Sequence, residues 1–174
     1  MIPFKKILLV LQRHAIGLLD GIDNRRFTTL YWKHLAKAGI TFTGRPNYIA
    51  SNAYIDGQGY GLITIGEDVV ISREAMLLTH DYAIETALHS IGRGTSDRST
   101  KVDAGITIGR NSFIGARASL LPGTVIGENC IIGSCAVVKG TVPDGAIVVG
   151  NPARQISETE RLAERYIAQR PGQF

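Results

Sequence analysis

The spacing of hydrophobic positions changes near residue 40. Before it, Leu8, Leu11, Ala15, Leu18 and Leu19 recur at three- and four-residue steps, which predicts a helix with these side chains on one core-facing side. Gly21 and Asp23-Asn24 mark a turn, and Leu30, Tyr31, Leu35 and Ala38 give a second helical face that Gly39 can close. From Ile40 the helical period is replaced by a period of six. Large aliphatics stand at Ile65, Ile71 and Leu77, then at Val102, Ile108, Ile114, Leu120, Ile126, Ile132 and Val138. Four residues after most of them comes a smaller or branched residue: Val69, Ala75, Ile106, Ser112, Ala118, Thr124, Cys130, Ala136 and Val142. Ile49 and Ile55 are earlier members, set apart by the glycine-rich Gly57–Gly61.

Residues six apart lie on opposite sides of a helix, so the pattern is not helical. Inward residues at i and i+4 of each six describe a short strand and a bend. Stacked at about 4.8 Å, such strands and bends form coils around a column of aliphatics. The glycine after many of the aliphatics suits backbone that a β-carbon would obstruct. Cys130 falls in one of the small inward slots and reads as packing. The fold class predicted is mainly β: a parallel β-helix of hexapeptide repeats over 41–156, preceded by a helical segment over 1–40. Ser157 and Glu160 form a capping-box pattern for a short helix within 157–174.

The repeat breaks once, in the step of 25 residues from Leu77 to Val102. This predicts an excursion loop at about 80–101, and irregular loops on rigid scaffolds are where function concentrates. The loop opens with Thr79-His80-Asp81-Tyr82, and the repeat closes with Gly150-Asn151-Pro152-Ala153-Arg154. Hexads, histidine loop and closing motif together resemble the hexapeptide-repeat acyltransferases, left-handed β-helix proteins. The resemblance covers about 41–156. It is nearest to the maltose and galactoside O-acetyltransferases and to the O-acetyltransferases of exopolysaccharide and colanic acid assembly.

That resemblance implies acetyl-CoA as acyl donor, a sugar or glycan hydroxyl as acceptor, and a homotrimer with sites between subunits. It implies His80 as general base, which suits imidazole because its ordinary pKa near 6.5 leaves it largely neutral at pH 7. It gives Asn52 a contact with the acceptor hydroxyl, although asparagine also favours plain turns. Ala116 and Ser134 would lie along the pantetheine arm with Lys139 beside them, where threonine is usual. Arg154 would sit near the phosphates, with a structural ion pair as the competing role. Phe113 would border the acceptor; Tyr82, Tyr54 and Tyr60 offer rings either to a sugar or to simple packing. Asp81 is a candidate to orient His80. N-acetylation of an amino sugar would use the same base.

Two departures matter: residues 1–40 do not follow the helical cap of the small-sugar enzymes, and no proline follows His80. Zinc chemistry needs three converging histidines, whereas His14 and His34 lie in the helical region, leaving His80 and His89. No metal is therefore expected. A non-catalytic binding module would retain the coil but has no need of the histidine loop.

Charge and composition refine this picture. The chain has 174 residues, net charge +4, 20 glycines and two cysteines, as befits one globular domain without a disulfide framework. Residues 1–40 carry seven basic and two acidic groups (+5), leaving −1 for the remainder. A general nucleic-acid surface is thus not expected. The basic segment is either a solvated helix face or a weak peripheral contact with an acidic membrane. The apolar run Ile7–Leu11 is far shorter than the roughly 20 residues of a membrane span, and Gln12-Arg13-His14 interrupts it, so a cytoplasmic location is expected.

Overall fold

A computed structural model describes residues 4–56 and 59–172, with the side chains of 4–7 left aside; Gly57 and Gln58 of the glycine-rich interruption lie outside the described residues. Helix α1 (Phe4–Gly17) and helix α2 (Asn24–Ala38) form a hairpin. The side chain of Asp23 accepts from the Arg26 N–H at the start of α2, and Gly39, at φ 127°, ends it as its sequence position suggests. Then the chain winds. Face A is built from Thr41–Phe42, Ile63–Ile65, Ile106–Ile108, Val125–Ile126 and Thr141–Val142; face B from Tyr48–Ile49, Val70–Ile71, Phe113–Ile114, Ile131–Ile132 and Ala146–Val149; face C from Tyr54–Ile55, Met76–Leu77, Ser119–Leu120 and Val137–Val138. Successive strands visit A, B and C in turn. Every coil-to-coil pairing is parallel, in a register that stacks hexad on hexad, as in Ile71 beside Ile114 and Ile114 beside Ile132.

The two inward positions of each hexad fill the prism. Ile65, Ile71, Leu77, Ile114, Leu120 and Ile132 are fully buried, as are the smaller Val69, Ala75, Ala118, Thr124, Cys130 and Ala136. Each large side chain removed from water is worth about 1.5–3 kcal/mol. The buried hydroxyls bond to backbone: Thr124 Oγ1 donates to the Leu121 carbonyl at 2.7 Å, and Ser112 Oγ to that of Gly127 at 2.9 Å. Burial pushes the Cys130 thiol above its ordinary pKa, in keeping with a packing role.

At the corners, the third residue after the aliphatic repeatedly takes left-handed backbone. Asp68, Glu74, Asn111, Arg117, Gly123, Asn129 and Cys135 all have φ between 51° and 83°. The recurrence of glycine one residue after the aliphatic has another cause. A β-carbon on Gly109 would lie 2.5 Å from the Gly127 carbonyl group in the next coil. Stacking distance, not the bend itself, demands it.

Four expectations need correction. Val102 is not a hexad member: it is half exposed and, with Asp103, pairs antiparallel with His80–Asp81. The excursion therefore begins and ends as a two-stranded ribbon around α3 (Ala83–Ser90) and returns to the column at Ile106. Ser157 does not open the last helix, because Arg154–Glu158 turns back as an antiparallel strand along Ala146–Val149 and covers the edge of face B. Helix α4 (Thr159–Ala168) begins after it, its first N–H donating to the Gly145 carbonyl at 2.8 Å. In α2 the packed face is Phe27, Thr28, Tyr31, His34 and Leu35, with Leu30 exposed. In α1, Ile16 and, just past its end, Leu19 pack against the core, while Leu8, Leu11 and Leu18 are exposed.

Replacing Gly109 by Ala should therefore cost about 1–3 kcal/mol, because backbone must move to admit one methyl. Gly61→Ala, where a β-carbon meets nothing within 4 Å, should leave stability unchanged or slightly raised. Urea denaturation of the two variants checks the contrast.

Candidate active site

The excursion leaves the prism from face C. Strand Tyr54–Ile55 lies beside Met76–Leu77, with Ile55 opposite Leu77, so the residues just past each strand are also neighbours. This brings Asp56 to Thr79 and His80, 23 and 24 positions later. Asp56 is 2% exposed. Its Oδ2 accepts from the Thr79 hydroxyl at 2.7 Å and the Thr79 N–H at 3.3 Å, and it also meets the His80 Nδ1. A buried carboxylate is tolerated where such donors satisfy it. With Nδ1 turned to the carboxylate, Nε2 points away from it, on a side chain that is 21% exposed. The carboxylate thus fixes ring orientation and favours the tautomer with its proton on Nδ1, leaving Nε2 as the basic nitrogen.

Neighbouring groups reinforce the arrangement. The Tyr82 ring stands edge-on to the His80 ring, centroids 5.4 Å apart. His80 pairs with Asp103 across the ribbon, and the Thr79 carbonyl accepts from the Ala104 N–H at 3.0 Å. Lys101 bridges to Asp103 at 2.9 Å, and that hydrogen bond raises its pKa. Gly59 is packed so closely on Thr79 that a β-carbon there would overlap the threonine hydroxyl. Asp81 does not orient His80: its Oδ1 accepts from the Ala83 N–H at 2.7 Å at the start of α3. The orienting group is Asp56, which sequence reasoning missed. The available signal was an acidic residue directly after the hexad aliphatic Ile55, where most other hexads have glycine or a polar corner residue.

The remaining predicted residues fall into separate groups within one chain. Asn52 lies in the turn before strand Tyr54–Ile55, at the opposite end from Asp56. It lines a cavity of about 620 Å³ between the helical hairpin and the first coil, with Arg13, His34, Ser51 and Tyr60 among its walls. Arg13 donates to the Ala53 carbonyl at 3.1 Å and to the Tyr60 hydroxyl at 3.5 Å. Nearby, Asp20 accepts from the Ser51 hydroxyl at 2.6 Å and the Tyr48 hydroxyl at 2.8 Å. Burial and the Asp20 carboxylate push Tyr48 up to about 12.

Ala116 and Ser134 stack at one corner: the strands before them pair as Ile114 with Ile132, and the Cys135 N–H donates to the Ala116 carbonyl at 2.9 Å. Phe113 projects from face B, 42% exposed. Lys139 follows the face C strand Val137–Val138, and Arg154 opens the returning antiparallel strand; both are exposed. The structure thus joins His80 with Tyr82, and Ala116 with Ser134, and puts Phe113 on a different face of the prism from the one that leads to His80. Among the described residues, no group of three or more His, Cys, Asp or Glu side chains is arranged to hold a metal. Likewise, no described helix is long and apolar enough to cross a membrane.

A hexad-built parallel coil, interrupted once by a ribbon that carries a histidine on a buried carboxylate, defines a class. That class is one of fold, the left-handed β-helix of hexapeptide repeats. Residues 105–140 match the family model for the bacterial transferase hexapeptide (six repeats). The chain is 33% identical over 127 residues to a protein of Mycobacterium tuberculosis named as a probable acetyltransferase, covering 73% of this chain and 38% of that one. It is 30% identical over 104 residues to the galactoside O-acetyltransferase of Escherichia coli, covering 60% and 48%. The chain thus spans half or less of these two relatives.

Among solved structures, it resembles a hexapeptide-repeat acetyltransferase of Vibrio cholerae complexed with acetyl coenzyme A. The TM-score is 0.59 at 18% identity, covering 91% of each chain. It also resembles a galactoside acetyltransferase in complex with coenzyme A, at a TM-score of 0.57 and 20% identity, covering 94% of this chain and 86% of that one. These structural likenesses concern the fold. The chain therefore shares the hexapeptide-repeat fold of these acetyltransferases and carries the repeat signature of the family model over residues 105–140.

His34, on the cavity wall, gives a pH prediction. Burial first, and then the Arg13 and Lys37 charges, lower its pKa from 6.5. The folded chain therefore resists the proton that the unfolded chain accepts, so the stability contribution is present above pH 6.5 and lost as pH falls below it. The melting temperature should drop between pH 7.5 and 5.5, and the drop should be smaller in His34→Gln.

Proposed function

We propose that the chain is an acetyl-CoA-dependent O-acetyltransferase acting on a hydroxyl of a sugar or polysaccharide precursor, with His80 as general base. The observation that carries this reading is the His80–Asp56 pair. It supplies a ring with one nitrogen anchored and the other presented at the coil edge, as proton abstraction from a weakly acidic alcohol requires. Nε2 takes the hydroxyl proton as the acceptor oxygen attacks the thioester carbonyl carbon. The tetrahedral intermediate then collapses, the C–S bond breaks, and the imidazolium returns the proton to the departing thiolate. Asp56 stabilises the transient imidazolium without taking its proton, the role a carboxylate plays beside histidine in hydrolytic triads. No acyl-enzyme is required.

The galactoside O-acetyltransferase relative supports a sugar hydroxyl as acceptor. A homotrimer accounts for the separation of the predicted residues. Ala116, Ser134, Lys139 and Arg154 of one subunit would border the donor, Phe113 and Asn52 would approach the acceptor, and His80 with Tyr82 would come from a neighbour. The small Ala116 and exposed Ser134 leave room for an extended thiol arm along their corner. The cytoplasm, where acetyl-CoA is made, is the compartment this chemistry suits.

His80→Ala should lower kcat by about 10²–10⁴-fold, the usual worth of a general base. Asp56→Asn should lower kcat at least tenfold with little change in KM for acetyl-CoA. Retention of near-normal acetyl transfer to every accepted sugar by His80→Ala would overturn the reading. A mixing experiment addresses the shared site: His80→Ala and Ser134→Trp, each inactive alone, should regain activity when co-refolded. Failure to do so would place both functions in one subunit.

A further inference from the structure

The helical hairpin exposes two ridges that neither the coil nor the proposed chemistry uses. On α1, the residues expected to face the core instead face outward: Leu8 is 44% exposed, Leu11 62% and Leu18 75%, with Ala15 between them on the same face. Ile22, in the turn after α1, is 82% exposed. The opposite flank of the helix is committed to the protein, because Leu9, Arg13 and Gly17 line the cavity and Arg13 is tied to the first coil. On α2, Arg26, Leu30, Lys33 and Lys37 follow one another at steps of four, three and four, and all are exposed. This outward face is cationic with one leucine in it. Arg26 pairs at 3.3 Å with Asp23, yet its side chain remains 81% exposed.

A helical hairpin with an exposed apolar ridge on one helix and an exposed cationic ridge on the other has the two components of an interfacial anchor: leucines enter the acyl boundary while basic groups meet lipid phosphates. Charge complementarity selects this occupant. The first 40 residues carry +5, a net charge that attracts an anionic surface and opposes the approach of an identical hairpin from a second copy. We propose that the α1–α2 hairpin docks the protein on an anionic phospholipid bilayer through Leu8, Leu11, Leu18 and Ile22, with Arg26, Lys33 and Lys37 holding the headgroups. The docking is peripheral and does not depend on the acetyl-transfer reading.

Flotation of the full chain with vesicles tests it, using phosphatidylcholine alone and phosphatidylcholine with 30 mol% phosphatidylglycerol. Binding should be at least tenfold stronger to the anionic vesicles and should weaken as salt rises from 0.1 to 0.5 M. Leu11→Asp/Leu18→Asp, both at exposed sites, should lose binding at least tenfold without a change in thermal stability. Lys33→Gln/Lys37→Gln should lose about fivefold per lysine. Equal binding to both vesicle types, no binding to either, or unchanged binding by the aspartate variant would overturn the proposal. So would a finding, by light scattering, that the aspartate variant breaks up an oligomer, since the ridge would then be an interface between copies.

Discussion

Each strand of the prism is two to four residues long and stable only because another coil lies above or below it. The backbone N–H groups of one coil donate to the carbonyls of the next, as from Gly109 to Ile126 and from Gly115 to Ile132, both at 2.8 Å. That ladder requires coils to approach to about 4.8 Å. The approach in turn limits which side chains the corners tolerate. A six-residue period is what lets two inward side chains, one corner residue in left-handed backbone and one close-packed glycine recur at the same depth on each face. The Ile and Leu column is continuous because the ladder is in register, and the ladder stays in register because a slip would expose that column.

The same constraint makes the site rigid. A strand two residues long offers little scope for adjusting the backbone just beyond it, so Asp56 and Thr79 meet wherever Ile55 and Leu77 pair. At Asp81 the smaller inward residue of the hexad is replaced by a charged one, and the chain cannot continue around the prism there. It departs as a ribbon, and His80 is carried out at the coil edge with one ring nitrogen still held by the prism. Scaffold and chemistry therefore meet at a single carboxylate, whose burial is offset by the donors of Thr79 and His80.

The inward hexad positions were legible in the sequence because they obey one short-range rule repeated many times, and His80 because the repeat fails beside it. Asp56 was not, since its adjacency to His80 comes from coil length across the glycine-rich interruption rather than from any local pattern. The returning strand Arg154–Glu158 was missed for a related reason. It is stabilised by face B beneath it, and the Ser157/Glu160 pattern spoke more loudly for a helix start than its exposed, mixed residues did for a strand. Val102 has the right residue type and the right spacing from Ile108, but lies outside the column because the excursion closes as a ribbon before the coil resumes.

Helix α1 turns its polar contacts and a shorter apolar flank, rather than its longer apolar stripe, toward the rest of the protein. Counting hydrophobic residues favours the face of Leu8, Leu11, Ala15 and Leu18, and burial of three leucines would contribute several kcal/mol. The opposite flank offers an arginine that reaches the Ala53 carbonyl and the Tyr60 hydroxyl, and just past the helix an aspartate that takes hydrogen bonds from Ser51 and Tyr48. Turning the helix over would strip Asp20 of those donors and leave Ser51 and Tyr48 without that acceptor, while Ile16 and Leu19 would lose their packing on the core. The polar tethers and the packing of Ile16 and Leu19 go together with the observed orientation, in which the three leucines face outward.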